Sequence, residues 1–140
     1  MVYEYLHNEA YWGKGIPRDV VERSIRNSLC FGVYHGQEMV GFARVISDYA
    51  TFAYFRDVFV LPAHRGQGLS KRLMEAITEH PDLQGLRRFH LVTRDVHGLY
   101  SQFGFRAVEE PSLHMEQVTP SSVLYGKSQD DTVVGSERGK

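Results

Sequence analysis

The run Arg65-Gly66-Gln67-Gly68-Leu69-Ser70 sets two glycines at alternate positions beside a fixed cation. That spacing can hold an anion. Gly66 and Gly68 can take backbone angles closed to other residues and leave no Cβ in a ligand's way. The amides of Arg65 to Ser70 can then converge in front of a helix N-terminus, where partial positive charge favours anions. Arg65 adds a guanidinium suited to bidentate grip of phosphate. The chemistry served would be the cradling of a pyrophosphate. A plain tight turn between strand and helix would use the same glycines, so the flanks matter. Upstream, Val58-Phe59-Val60-Leu61 is an apolar run ended by Pro62, as at the end of a buried strand. Downstream, Leu69, Leu73, Ala76 and Ile77 recur at helical spacing. The segment reads as strand, glycine loop, helix. It is neither of the two commonest phosphate loops. No Gly-x-x-x-x-Gly-Lys-Ser/Thr run exists, and the third glycine of a dinucleotide fingerprint is replaced by Lys71.

The elements that must position this loop follow from periodicity and punctuation. Residues 2–6 suit a short first strand. Asn8 can cap a short helix carrying Glu9, Ala10, Tyr11 and Trp12, which Gly13-Lys14-Gly15 ends. Pro17 suits the first turn of a second helix reaching about Leu29, with Val21, Ile25, Ser28 and Leu29 on one face. Residues 30–34 and 39–47 are β-rich and joined at His35-Gly36-Gln37-Glu38, the signature of an antiparallel hairpin. A turn over 48–51 leads to a long strand over 52–61 that feeds the glycine loop. Pro81 stops the following helix. Residues 88–93 suit a strand reached through that helix, hence parallel. A short helix over 96–103 would close at Gly104, and strands over 105–109 and 113–118 would finish the fold.

Length and composition narrow the class. At 140 residues the chain is one domain's worth, with a net charge of -1 that suggests no extended nucleic-acid surface. A single cysteine, Cys30, excludes an internal disulfide framework and points to an intracellular, cytoplasmic setting. No apolar run approaches membrane-span length, so no membrane partner is expected. The histidines at 7, 35, 64, 80, 90, 97 and 114 include no His-x-x-x-His pair, and no metal site is expected. Residues 119–140 are rich in Ser, Asp, Gly and Lys and read as a polar, flexible tail.

Two motifs in this order resemble the GNAT superfamily of N-acetyltransferases. Arg65-Gly66-Gln67-Gly68-Leu69-Ser70 is similar to its motif A, Gln/Arg-x-x-Gly-x-Gly/Ala, with Ser70 departing from the last position. Leu99-Tyr100-Ser101-Gln102-Phe103-Gly104-Phe105 is similar to its motif B, Leu-Tyr-x-x-x-Gly-Phe. The resemblance covers roughly residues 2–118. It implies an α+β, three-layer fold in the order β-α-α-β-β-β-α-β-α-β-β, with helices on both faces of a mixed sheet. It also implies acetyl-CoA as cosubstrate and a primary amine as acceptor. By position, Phe59, Val60 and Leu61 would offer backbone amides to the pantetheine arm and thioester. Arg65, Gly66, Gln67, Gly68, Leu69 and Ser70 would hold the pyrophosphate.

Tyr100 aligns with the family's general acid. Its proton would pass uphill to a thiolate by about 1.5 pKa units, roughly 2 kcal/mol. The base is open. Where family members often carry a strand Glu, this chain has Arg56-Asp57. Asp57 could bind an ammonium, act as base, or pair with a cation, and alternation puts it opposite Val60 unless the strand bulges. Thr93 stands where the family often has Asn and could offer its hydroxyl to the pantetheine arm. His97 could orient Tyr100, line the channel or simply be solvated. Tyr11 and Trp12 could pack helices onto the sheet or form an aromatic wall for the acceptor. Homodimerisation through the last strands is an expectation by fold analogy. A non-catalytic module that binds acetyl-CoA or CoA is the alternative reading.

Overall fold

The computed structural model describes residues 1–8, 15–94 and 96–126. They form helices α1 (Val2–Asn8) and α2 (Arg18–Arg26), strands β1 (Leu29–His35), β2 (Glu38–Ser47) and β3 (Phe52–Val60), then helix α3 (Leu69–Thr78). Strand β4 (Arg88–His90), helix α4 (His97–Ser101) and helix α5 (Ser121–Leu124) follow. The chain divides into two units, Ser24–Glu109 and the segments on either side of it.

Within Ser24–Glu109 the four strands lie in sequence order, β1-β2-β3-β4. The first three are antiparallel, and β4 joins β3 in parallel. The sheet is therefore mixed, as expected. The β1–β2 hairpin turns on Gly36 at φ +65°, between the paired residues His35 and Glu38. The β2–β3 turn is organised by Asp48. Its carboxylate accepts from the amides of Ala50, Thr51 and Phe52 and from the Thr51 hydroxyl, at 2.7–3.2 Å.

Helix α3 buries Leu73, Met74 and Ile77 and exposes Lys71, Arg72 and Glu75. Its apolar stripe covers one face of the sheet, where it meets Ala43 and Val45 of β2 and Ala53 and Phe55 of β3. Full burial of Met74 and Ile77 contributes about 1.5–3 kcal/mol each. Phe105 extends this core, its ring 5.5 Å from Phe55 and 5.9 Å from Tyr100. The helix ends before Pro81, which opens a 3-10 turn over Pro81–Leu83.

Three expected strands are corrected. Residues 2–6 lie in helix α1, where burial falls on adjacent residues and not on alternate ones. Tyr5 and Leu6 are its buried pair, Tyr3 meets His7 one turn later with the hydroxyl 3.3 Å from Nδ1, and the N-terminal ammonium meets Glu4 at 2.8 Å. A strand would have set Glu4 on the same face as Val2 and Leu6. Residues 105–109 and 113–118 form no strand either. Their large apolar residues past Phe105 stay largely out of the core: Leu113 is 72% exposed and Met115 96%. The fourth strand is three residues long where six were expected, and α4 spans five where eight were expected. The proposed Asn8-capped helix falls on residues outside those described.

Candidate active site

The glycine loop leaves β3 through a 3-10 turn, Pro62–His64, and enters α3 at Gly68. Gly66 and Gly68 sit at φ +80° and +77°, the left-handed region, so glycine is required for conformation here. A Cβ built on either would meet nothing within 4 Å. Both therefore point into open space, and a ligand can approach the backbone there. Gly68 is the N-cap of α3, and no side chain caps the helix. Arg65 is anchored by a 2.8 Å bond from Nε to the Val60 carbonyl. That bond fixes the guanidinium at the junction of strand and loop.

Strand β3 outruns its parallel neighbour. The ladder consists of Phe52–Arg88, Ala53–Phe89 and Tyr54–His90, and β3 continues six residues beyond it. On its other side β3 stays paired with β2 to Val60, and the Leu61 amide still donates to the Val40 carbonyl at 2.8 Å. Phe59, Val60 and Leu61 thus lie where β3 no longer has β4 alongside.

Asp57 lies in a bulge. Phe42 is opposite Phe59 and Arg44 is opposite Arg56, so Ala43 alone faces both Asp57 and Val58. The extra residue is accommodated by Asp57 at φ +52°, a conformation that Asp adopts more readily than most residues. The bulge turns the carboxylate to the face of the sheet away from α3. There Oδ2 accepts from Arg44 Nε at 2.7 Å, with the two side chains 6% and 11% exposed. Arg44 Nη1 donates to Ser28 Oγ at 3.1 Å, and Ser28 Oγ donates to the Ser24 carbonyl at 2.7 Å. Cys30 lies opposite Arg44 in the β1–β2 ladder. Burial pushes its thiol pKa up, while the Arg44 charge pulls the other way.

Tyr100 is on the opposite side. Its ring is buried in the core that α3 covers, and burial raises its phenol pKa. Every fully buried side-chain oxygen among the described residues has a partner, and the phenol oxygen forms no hydrogen bond among them. That oxygen is therefore in contact with solvent while the ring is held by packing. Thr93 caps the turn before α4, its Oγ1 accepting from the Val96 amide at 3.4 Å. His97 is exposed, with Nε2 3.2 Å from the Thr93 carbonyl and no hydrogen bond to Tyr100. Tyr11 and Trp12 lie outside the described residues.

The fold brings the strand end, the glycine loop and α3 together as one continuous feature. It sets the two ionisable candidates, Asp57 and Tyr100, on opposite faces of the sheet. Sequence reasoning missed Arg44. Its signal was present: a lone arginine inside the apolar run Val40-Gly41-Phe42-Ala43-Arg44-Val45-Ile46 demands a counter-ion once the strand is buried. Among the described residues, no cluster of three or more His, Cys, Asp or Glu could hold a metal, and no helix is long and apolar enough to cross a membrane.

The profile of the acetyltransferase (GNAT) domain matches residues 26–107. A Gibberella zeae protein provisionally named an acetyltransferase is 32% identical over 113 residues, 66% of this chain. The match spans 63% of that protein's length. A crystal structure of a provisionally named GNAT-family acetyltransferase from Xanthomonas campestris pv. campestris is 53% identical, with TM-score 0.85 over 90% of this chain and 87% of that one. The fold is shared more distantly by a GNAT family acetyltransferase from Elizabethkingia anophelis with acetyl-CoA bound, at 12% identity and TM-score 0.55, over 66% and 63% of the two chains. The chain belongs to the GNAT acetyltransferase family.

Proposed function

We propose that this protein is an acetyl-CoA-dependent N-acetyltransferase that moves the acetyl group directly to a primary amine. The observation that carries this reading is the cradle. Two left-handed glycines with open Cβ directions precede an uncapped ten-residue helix, directly after a strand that outruns its neighbour. Pyrophosphate fits such a cradle because amides and the helix dipole favour anions. Arg65 to Ser70 take that role, and Phe59, Val60 and Leu61 offer backbone to the acyl end. Thr93 Oγ1 accepts from the Val96 amide, which leaves its O–H free to donate to the pantetheine arm.

In the reaction the neutral amine nitrogen attacks the thioester carbonyl carbon. The C–N bond forms, the C–S bond breaks, the extra amine proton leaves to solvent, the thiolate takes a proton from the Tyr100 phenol, and the phenoxide regains one from solvent. A phenol whose pKa burial has raised is reliably protonated at neutral pH. Burial also disfavours the Cys30 thiolate, which fits direct attack and not a cysteine-bound acetyl intermediate.

The test is CoA thiol release with a panel of amine acceptors, run on wild type and Tyr100→Phe, with acetyl-CoA binding measured on both. Acceptor-dependent release that collapses in the variant while binding persists supports the reading. Binding without release from any acceptor would assign the chain to the non-catalytic class instead. Failure to bind acetyl-CoA would remove the cradle assignment itself.

A further inference from the structure

Two imidazoles beside the glycine loop bear on which coenzyme the protein accepts, and this inference rests on the acetyltransferase reading above. β1 runs antiparallel to β2, and β2 antiparallel to β3, so β1 and β3 finish at the same end of the sheet. His35 is the last residue of β1, and His64 closes the 3-10 turn that follows β3. Their rings meet, with centroids 5.6 Å apart and planes inclined at 47°. Phe31 and Val33 pack on the core that α3 covers, and alternation sets His35 on that same face. It is the face onto which the glycine loop delivers the first turn of α3.

Neither ring is drawn into the interior: His35 is exposed and His64 half-buried. The rings of His7, His80 and His97 each meet a backbone group, whereas this pair forms no such hydrogen bond among the described residues. The charged groups beside it include Arg65, next to His64 in the chain, and Glu38, opposite His35 in the ladder. An imidazole donates an N–H whether neutral or protonated, so both rings can serve an oxyanion. Two such donors on separate elements, with an arginine adjoining, suit a phosphate monoester.

The order of features across this end of the sheet matches the order of groups along CoA. The strands lie β1-β2-β3-β4. The stretch of β3 past its last rung with β4 stands on one side, the glycine loop follows β3, and the imidazole pair lies toward β1. CoA presents its thiol end, then its pyrophosphate, then the phosphate on the 3′ oxygen of its ribose. We infer that His35 and His64 form a subsite for that 3′-phosphate, so that the protein selects CoA over the coenzyme form lacking it.

The experiment is calorimetric titration with CoA and with 3′-dephospho-CoA, on wild type, His35→Phe, His64→Phe and the double variant. Phenylalanine keeps a ring at each position, and so the contact between hairpin and turn, but deletes the N–H donors. Circular dichroism checks that each variant is folded. A hydrogen bond to a charged group is worth about tenfold in affinity or more. Wild type should therefore bind CoA at least about tenfold more tightly than 3′-dephospho-CoA. Each single variant should shrink that ratio, and the double variant should bring it to within about twofold of unity. Affinity for 3′-dephospho-CoA should stay at the wild-type value throughout. A wild-type ratio near unity would overturn the inference, as would a folded double variant that keeps the wild-type ratio. Equal weakening toward both ligands would also overturn it, since the rings would then only support the loop. Failure of wild type to bind either ligand would instead defeat the cradle reading, which separates the two.

Discussion

Arg44 stands directly opposite Arg56 across the β2–β3 ladder, two like charges in register within a sheet. Such a pairing is destabilising unless an anion offsets it. The bulge supplies one by adding a residue to β3 and turning Asp57 onto the same face, and the Tyr54 ring receives the second guanidinium. Breaking the buried pair from either side is expected to cost about 3–5 kcal/mol, because an uncompensated charge remains. Arg44→Met and Asp57→Ala should each lower the urea midpoint by that measure. Arg44→Met combined with Asp57→Ala should lose less than the sum, since neither charge is left behind. Strict additivity in the cycle would contradict the coupling.

The cradle can be probed without touching the core. Gly68→Ala introduces no clash, because the Cβ direction is open, but it places a side chain at φ +77°. The conformational penalty is about 1–2 kcal/mol. Stability should fall by that small amount, while KM for acetyl-CoA should rise more than tenfold and kcat at saturation should change little. Gly68→Asn should be milder in stability and equally impaired in binding. Calorimetric titration with CoA reads the binding arm.

Tyr100→Phe keeps the ring that packs on Phe105 and deletes an oxygen that has no hydrogen-bond partner among the described residues. Stability at pH 7 is expected to change by less than about 1 kcal/mol. The folded phenol has a raised pKa, so its contribution is complete below the usual tyrosine range and is lost as pH rises through the higher folded value. Urea midpoints between pH 9 and pH 11, on the order of the usual phenol range, should therefore fall more steeply for wild type than for the variant.

Asp48 governs the β2–β3 turn in an opposite sense. Its carboxyl pKa is held well below the ordinary range, first by the Thr51 amide, then by the Thr51 hydroxyl and the Ala50 amide. A lowered folded value means that stability is present above the ordinary aspartate range and is lost as pH falls through the folded value. Asp48→Ala should lower the urea midpoint at neutral pH and flatten its decline in acid. An unchanged acid branch would show that other carboxylates dominate it.

The hairpin at Gly36, the glycine loop and α3 were legible because each is written in local periodicity and in glycines whose positive φ the turn requires. The Arg44–Asp57 contact was not legible. It depends on a bulge, and a bulge is a property of two strands in register, which neither strand announces alone. Residues 2–6 were misread for a different reason. Five residues with two tyrosines and a valine suit either period, and only the burial of adjacent Tyr5 and Leu6 decides for the helix. The expected closing strands at 105–109 and 113–118 find no partner edge among the described residues, and a segment without one builds no ladder.

The three-rung ladder between β3 and β4 has a kinetic corollary. Because the ladder ends at Tyr54 and His90, a ligand entering beyond it has no parallel hydrogen bonds to peel away first. Association with CoA should then be a single bimolecular step, with an observed rate that climbs linearly with ligand concentration in stopped flow. The fold itself has done the opening in advance.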